Sequence, residues 1–192
     1  MALAGRGMRA FFPGEHRGVH PVPAKLEACM KAYPVCYPPA MPLKDAFIER
    51  CSSLDQPGWL DMRLALWPDA TADDHRAYMA ISLAQPERFL QLVMYDARRQ
   101  PIGIIEGSIR GDYVNGTETS PVGFVEGVYV APAFRRKGIA RQLFAAIGDW
   151  AKARGCHELA SDALLDNEVS QHAHRSLGFK ETERVVYFCR KL

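Results

Sequence analysis

The chain has 192 residues, 48% hydrophobic and 24% charged, which fits one ordinary α/β domain with a modest appendage and excludes two full-size domains. No apolar run approaches the length that crosses a bilayer, and the start, MALAGRGMRAFFPGEHRG, places charges and Pro where an export signal needs an apolar centre, so a cytoplasmic protein with no membrane partner is expected. The net charge is +2, made of +3 in residues 1–50 and −1 in the remainder, and such mild basicity gives no argument for nucleic acid.

Residues 1–44 hold Pro13, Pro21, Pro23, Pro34, Pro38, Pro39 and Pro42, a spacing that leaves no room for a long helix or a paired central strand. They read as an irregular Pro-rich extension with a short helix near residues 25–32, either a partner-binding arm or a stretch ahead of a true start at Met41. The domain proper is residues 45–192. Cys29, Cys36, Cys51, Cys156 and Cys189 form no C-x-x-C pair, so reduced thiols are expected, with neither a disulfide framework nor a metal site.

Phe47-Ile48-Glu49-Arg50 fits a first strand, and Ser53 is placed to cap a helix carrying Trp59, Met62, Leu64 and Leu66 and ending at Trp67-Pro68. Thr71 with Asp73 and Asp74 opens a second helix. Residues 89–95 and 102–109 form a hairpin around a polar turn. The turn-rich segment from Asp112 to Pro121 leads into a strand over 123–130, then a helix over about 138–153 with the apolar stripe Leu143, Phe144, Ile147 and Trp150, stopped by Gly155. A strand over 157–161, a helix over 169–177 and a strand over 181–190 complete the chain. The β–α–β–α–β order of this half predicts a central mixed sheet covered by helices.

The stretch FVEGVYVAPAFRRKGIAR, residues 124–141, carries the most specific chemistry. An apolar strand passes a Pro, collects Arg135, Arg136 and Lys137, and opens a helix at Gly138-Ile139-Ala140. A small residue at a helix start lets backbone N–H groups approach a ligand, and the helix dipole with three cations favours a phosphate there. The spacing Arg135-x-x-Gly138-x-Ala140 resembles the pyrophosphate-binding pattern R/Q-x-x-G-x-G/A of the GNAT acetyltransferase superfamily. That resemblance implies acetyl-CoA as co-substrate, no metal, and an α/β (α+β) GNAT fold, in which a central mixed, mostly antiparallel twisted sheet is flanked by helices.

DYVNGTETSPVGFVEG, ELASD and HRSLGFKETERVVYF carry a narrower likeness. From about residue 46 to the end the chain resembles the aminoglycoside 6′-N-acetyltransferases of the chromosomal Acinetobacter and Salmonella type. The resemblance implies acetylation of the 6′-amine of an aminoglycoside, antibiotic resistance, and a homodimer with residues 181–188 near the interface. It places the aminoglycoside against Trp67, Tyr113, Glu126, Asp162 and Glu183. It lays the pantetheine arm along the backbone of Val128, Tyr129 and Val130 and beside Asn167. Around the pyrophosphate it sets Arg136, Lys137, Gly138, Ile139, Ala140 and Arg141.

The carboxylates point the same way independently. Asp112, Glu118 and Glu126 lie in a stretch without a Lys or Arg, as do Glu158, Asp162, Asp166 and Glu168, and such clusters attract polycationic substrates. An alkyl ammonium, with a pKa of about 10, needs a base before it can attack a thioester, and Glu126 and Asp162 are the candidates. A covalent cysteine route finds no activating motif. His174 stands four residues before Gly178, where many superfamily members carry a Tyr acid, and reads either as that acid or as a packing residue. The remaining alternatives are a GNAT enzyme for another polyamine or amino sugar, and a CoA-binding module without turnover.

Overall fold

In the computed structural model, residues 2–4 and 45–192 are described. Among the described residues six strands and four α-helices follow one another as β1 (Ala2–Ala4), β2 (Phe47–Arg50), α1 (Trp59–Leu66), α2 (Ala72–Ala84), β3 (Phe89–Tyr95), β4 (Pro101–Arg110), β5 (Val122–Val130), α3 (Ile139–Lys152), β6 (Leu159–Ser161) and α4 (Glu168–Ser176), with a short 3-10 turn at Pro132–Phe134. They form one sheet in the order β1-β5-β4-β3-β2, with β6 also on β5. All pairings are antiparallel except β5 with β6. This is the mixed, mostly antiparallel sheet expected.

Alternation along the hairpin sorts side chains onto two faces. Leu92, Met94 and Ile105 join Ile139, Leu143 and Ile147 under α3, while Val93, Tyr95 and Ile104 join Trp59, Met62 and Met79 under α1 and α2. Burying each such aliphatic or aromatic side chain contributes about 1.5–3 kcal/mol. Thr71 caps α2 as expected: its side chain accepts from the Asp74 N–H while Asp74 accepts from the Thr71 N–H.

Three expectations need correction. Ser53 caps nothing; the turn through Asp55-Gln56-Pro57 delays the helix to Trp59, after a left-handed Gly58 at φ 79°. Residues 181–190 form no strand. Val185, Val186, Tyr187 and Phe188 suit a strand, but a strand requires a partner edge, and β6 offers only three residues. At the other end, Ala2–Ala4 does pair in the sheet; it precedes the first Pro, where the proline argument has no force. The helix expected near residues 25–32 lies outside the described residues.

Candidate active site

The site is built around an irregularity in β5. Glu106 of β4 faces Gly127, yet its neighbour Gly107 faces Val125, so Glu126 is an inserted residue without a cross-strand partner. Such a bulge bends the strand and re-aims side chains. The change of phase shows in the core, where Val125 and Val128 lie in the same cluster although three residues apart. The parallel pairing of β5 with β6 stops at the same level, at Val125 with Ser161. Glu126 and Asp162, each one residue beyond that last pair, therefore stand where the two strands part.

Their surroundings differ. Glu126 is buried, 6% exposed, and accepts from Arg110 Nη2 at 3.0 and 3.1 Å and from Ser108 Oγ–H at 2.5 Å. Although residues 111–134 hold no cation, the adjacent strand supplies one, and the Arg110 guanidinium also stacks 3.3 Å from the Phe124 ring centroid. Asp162 is half-buried just past the carboxyl end of β6, the edge at which ligands gather in α/β sheets. Trp67, also half-buried, closes over the bulge: a Cβ on Gly127 would come 2.5 Å from Trp67 Cζ2, so only glycine allows the ring this close.

Tyr113 and Glu183 form a second group. Tyr113 is 74% exposed on the loop joining β4 to β5, and Asn115 Nδ2 on that loop donates to Glu183 Oε2 at 3.1 Å. Gly116, in a left-handed turn, lies against Thr182 and leaves no room for a side chain. Glu158 is not part of an open acidic pocket. It accepts from the Thr119 hydroxyl at 2.5 Å and from the Thr119 and Glu118 N–H groups, which hold its carboxyl below the usual range and tie the loop to β6.

At the carboxyl end of β5, residues 135–138 are exposed and Arg136 and Gly138 both adopt positive φ, 60° and 79°. No side chain caps the first turn of α3, and the space above Gly138 is open. An uncapped helix start, its dipole and the exposed Arg136, Lys137 and Arg141 together favour an anion at this position. Ile139 is buried in the core and Ala140 is half-buried, so these two fix the helix while their backbone faces the loop. Arg135 turns inward, its Nε donating to Val130 O at 3.1 Å. Asn167 caps α4, accepting from Ser170 N–H at 3.0 Å and leaving its amide nitrogen outside the cap. The edge of Val128 and Tyr129 pairs with Leu3 and Ala2 of β1, so an extended chain already lies along it.

His174 is a packing residue in this arrangement. Its ring lies edge-on to Phe144 and Phe179, its Nδ1–H donates to Ser170 O at 2.8 Å, and burial lowers its pKa, leaving a neutral ring with an unprotonated Nε2. Among the described residues no group of three or more His, Cys, Asp or Glu is arranged to hold a metal, and no helix is long and apolar enough to cross a membrane.

The sequence profile of the acetyltransferase (GNAT) family matches residues 49–179. The chain belongs to that family. Within it, the chain is 50% identical over 145 residues to an aminoglycoside N(6′)-acetyltransferase type 1 of Acinetobacter haemolyticus, a match spanning 76% of this chain and 98% of that relative. Its fold matches the crystal structure of the aminoglycoside 6′-N-acetyltransferase AAC(6′)-Ih from Acinetobacter baumannii with TM-score 0.72 and 47% identity, over 77% of this chain and 99% of that one. AAC(6′)-Iy, solved with a bisubstrate analogue joining CoA to monomethyl-acetylneamine, matches with TM-score 0.72 and 38% identity over 78% and 100%. Sequence reasoning passed over Arg110, Arg63 and Glu106; a Glu in the apolar run IIEGSI was the available signal for the last.

Proposed function

We propose that this GNAT enzyme transfers the acetyl group of acetyl-CoA to the 6′-amine of aminoglycoside antibiotics by direct attack, and so confers resistance to them. The observation that carries the reading is the pair Glu126 and Asp162 at the fork of β5 and β6, with Trp67 packed on Gly127 next to Glu126. The pyrophosphate binds the α3 N-terminus with Arg136, Lys137 and Arg141. The pantetheine arm extends along Val128 to Val130 beside Asn167, taking the place of β1, because a peptide-like chain suits an open strand edge. The acetyl carbonyl then lies beside the bulge.

The aminoglycoside brings several ammonium groups. Trp67 and Tyr113 supply apolar faces, and Glu126, Asp162 and Glu183 supply charge. Glu126 already shares its oxygens with Arg110 and Ser108, so it serves best to orient the 6′-ammonium. Asp162, or a water it holds, takes the proton. The freed amine attacks the thioester carbonyl, the C–S bond breaks, and the remaining excess proton on the acetylated nitrogen passes to the departing CoA thiolate. Residues 45–192 form the catalytic domain in this reading, residues 1–44 an extension, and the enzyme works in the cytoplasm, where acetyl-CoA is available.

A homodimer accounts for the exposed C-terminal segment. Val186 and Phe188 are 75% and 93% exposed, and an open cleft of about 410 Å³ lies between α3 and β6, lined by Phe144, Leu159, Leu177 and Phe179. Pairing of residues 181–188 with a second copy would cover such surface, and sedimentation velocity reads the dimer directly. Activity is tested with kanamycin and acetyl-CoA, mapping the acetylated nitrogen by mass spectrometry against spermidine and a peptide amine. Asp162→Asn is expected to lower kcat/KM by about 10²–10⁴ through kcat, and Glu126→Gln to lower it mainly through the kanamycin KM. Unchanged kcat/KM in both variants would reject this acceptor site.

A further inference from the structure

The most deeply buried ion pair among the described residues is Arg63 of α1 with Glu106 of β4, with side chains 0% and 1% exposed. Its atoms are fully engaged on several sides. Arg63 Nε donates to His75 Nδ1 at 3.3 Å, and the guanidinium carbon lies 4.8 and 4.4 Å from the ring centroids of Trp67 and Tyr78. Glu106 also accepts from Trp59 Nε1–H at 2.6 Å. Buried pairs of this kind are often no more stabilising than apolar residues of the same size, so stability alone does not account for it. What it does is join two parts of the site.

Glu106 faces Gly127 directly beside the bulge. Arg63 lies one helical turn before Trp67, so its guanidinium meets that ring. Because His75 Nδ1 accepts from Arg63, the imidazole proton sits on Nε2, which donates to Trp67 O at 3.2 Å. One tautomer satisfies both bonds. The ring and the carbonyl of Trp67 are both tied to the pair, and the ring is pressed onto Gly127. We propose that Arg63 and Glu106 are positioning residues for the acceptor: they clamp Trp67 over Gly127, next to the bulged Glu126, and so set one wall of the aminoglycoside site. This rests on the reading of Trp67 as a substrate contact.

The test is the double variant Arg63→Met with Glu106→Gln, which removes both charges together, roughly keeps volume, and leaves an acceptor for Trp59. Circular dichroism checks folding, and steady-state kinetics follow kanamycin and acetyl-CoA separately. The expected result is a kanamycin KM raised about tenfold, with kcat and the acetyl-CoA KM within about twofold of the parent. Trp67→Ala is expected to raise the kanamycin KM similarly, and adding it to the double variant to change little further, since coupled residues are not additive. If Trp67→Ala raises that KM and the folded double variant does not, the clamp is overturned. Equal losses for both substrates would also overturn it, marking a general structural role. If Trp67→Ala itself leaves the kanamycin KM unchanged, Trp67 is not a substrate contact and the clamp falls with it, while 6′-acetylation mapped by mass still stands. Should the double variant not fold, Arg63→Lys keeps the charge but loses the planar stacking. It is then expected to give the same split, and an unchanged kanamycin KM rejects the proposal.

Discussion

Glu126, Glu106 and His75 show how much of this site depends on partners distant in sequence. Burial first, and then the Arg63 cation, hold His75 below the ordinary imidazole range. The folded state therefore resists a proton that the unfolded chain accepts near pH ~6.5. Stability is full above that pH and falls progressively as pH drops below it, until the depressed folded value is reached. Melting temperatures of the parent between pH 8 and 5 should decline accordingly, and His75→Gln should show a shallower decline, the remainder including His174, which burial shifts the same way. The sequence made Glu126 legible as a carboxylate in an apolar strand, but not Arg110, sixteen positions earlier, as its counter-ion. Contiguity hid it: a run free of cations says nothing about the neighbouring strand. Glu158 misled for the same reason, its charge being spent on the N–H groups of a loop forty residues before it.

Elements were legible where a local rule decides them. Helix α2 announces itself through Thr71 and Asp74, and β5 followed by α3 through an apolar strand, a Pro and Gly138. The start of α1 was not, because Ser53 is as good a cap residue as Thr71 and only the intervening Pro57-Gly58 turn settles the matter. The strand expected over 181–190 failed because strand propensity describes fit to a neighbour, and the three-residue β6 gives it no edge to pair with. The α3 N-terminus permits a sharper test. Gly138 sits at φ 79° with open space beside it, so Gly138→Val is strained in the backbone at the anion site itself. The acetyl-CoA KM should rise about tenfold or more with the kanamycin KM near that of the parent, as read by initial rates with each substrate varied in turn; equal changes in both would place the effect elsewhere.

At the level of the molecule, β5 is held by different strands along its length. Its first half is held by β6 and its second by β1, over Gly127 to Tyr129. With the pantetheine arm on the edge proposed for it, the N-terminus becomes a tethered competitor. A segment joined to the enzyme it occupies acts at a fixed effective concentration set by its link, and no dilution relieves it. Acetyl-CoA then binds with an affinity reduced by the fraction of molecules whose edge is occupied, while the acetylation step, once both substrates are seated, is untouched. Removing residues 1–44 is accordingly expected to lower the acetyl-CoA KM severalfold with kcat unchanged, and a synthetic peptide of residues 1–10 added to the shortened enzyme should raise it again, competitively with acetyl-CoA.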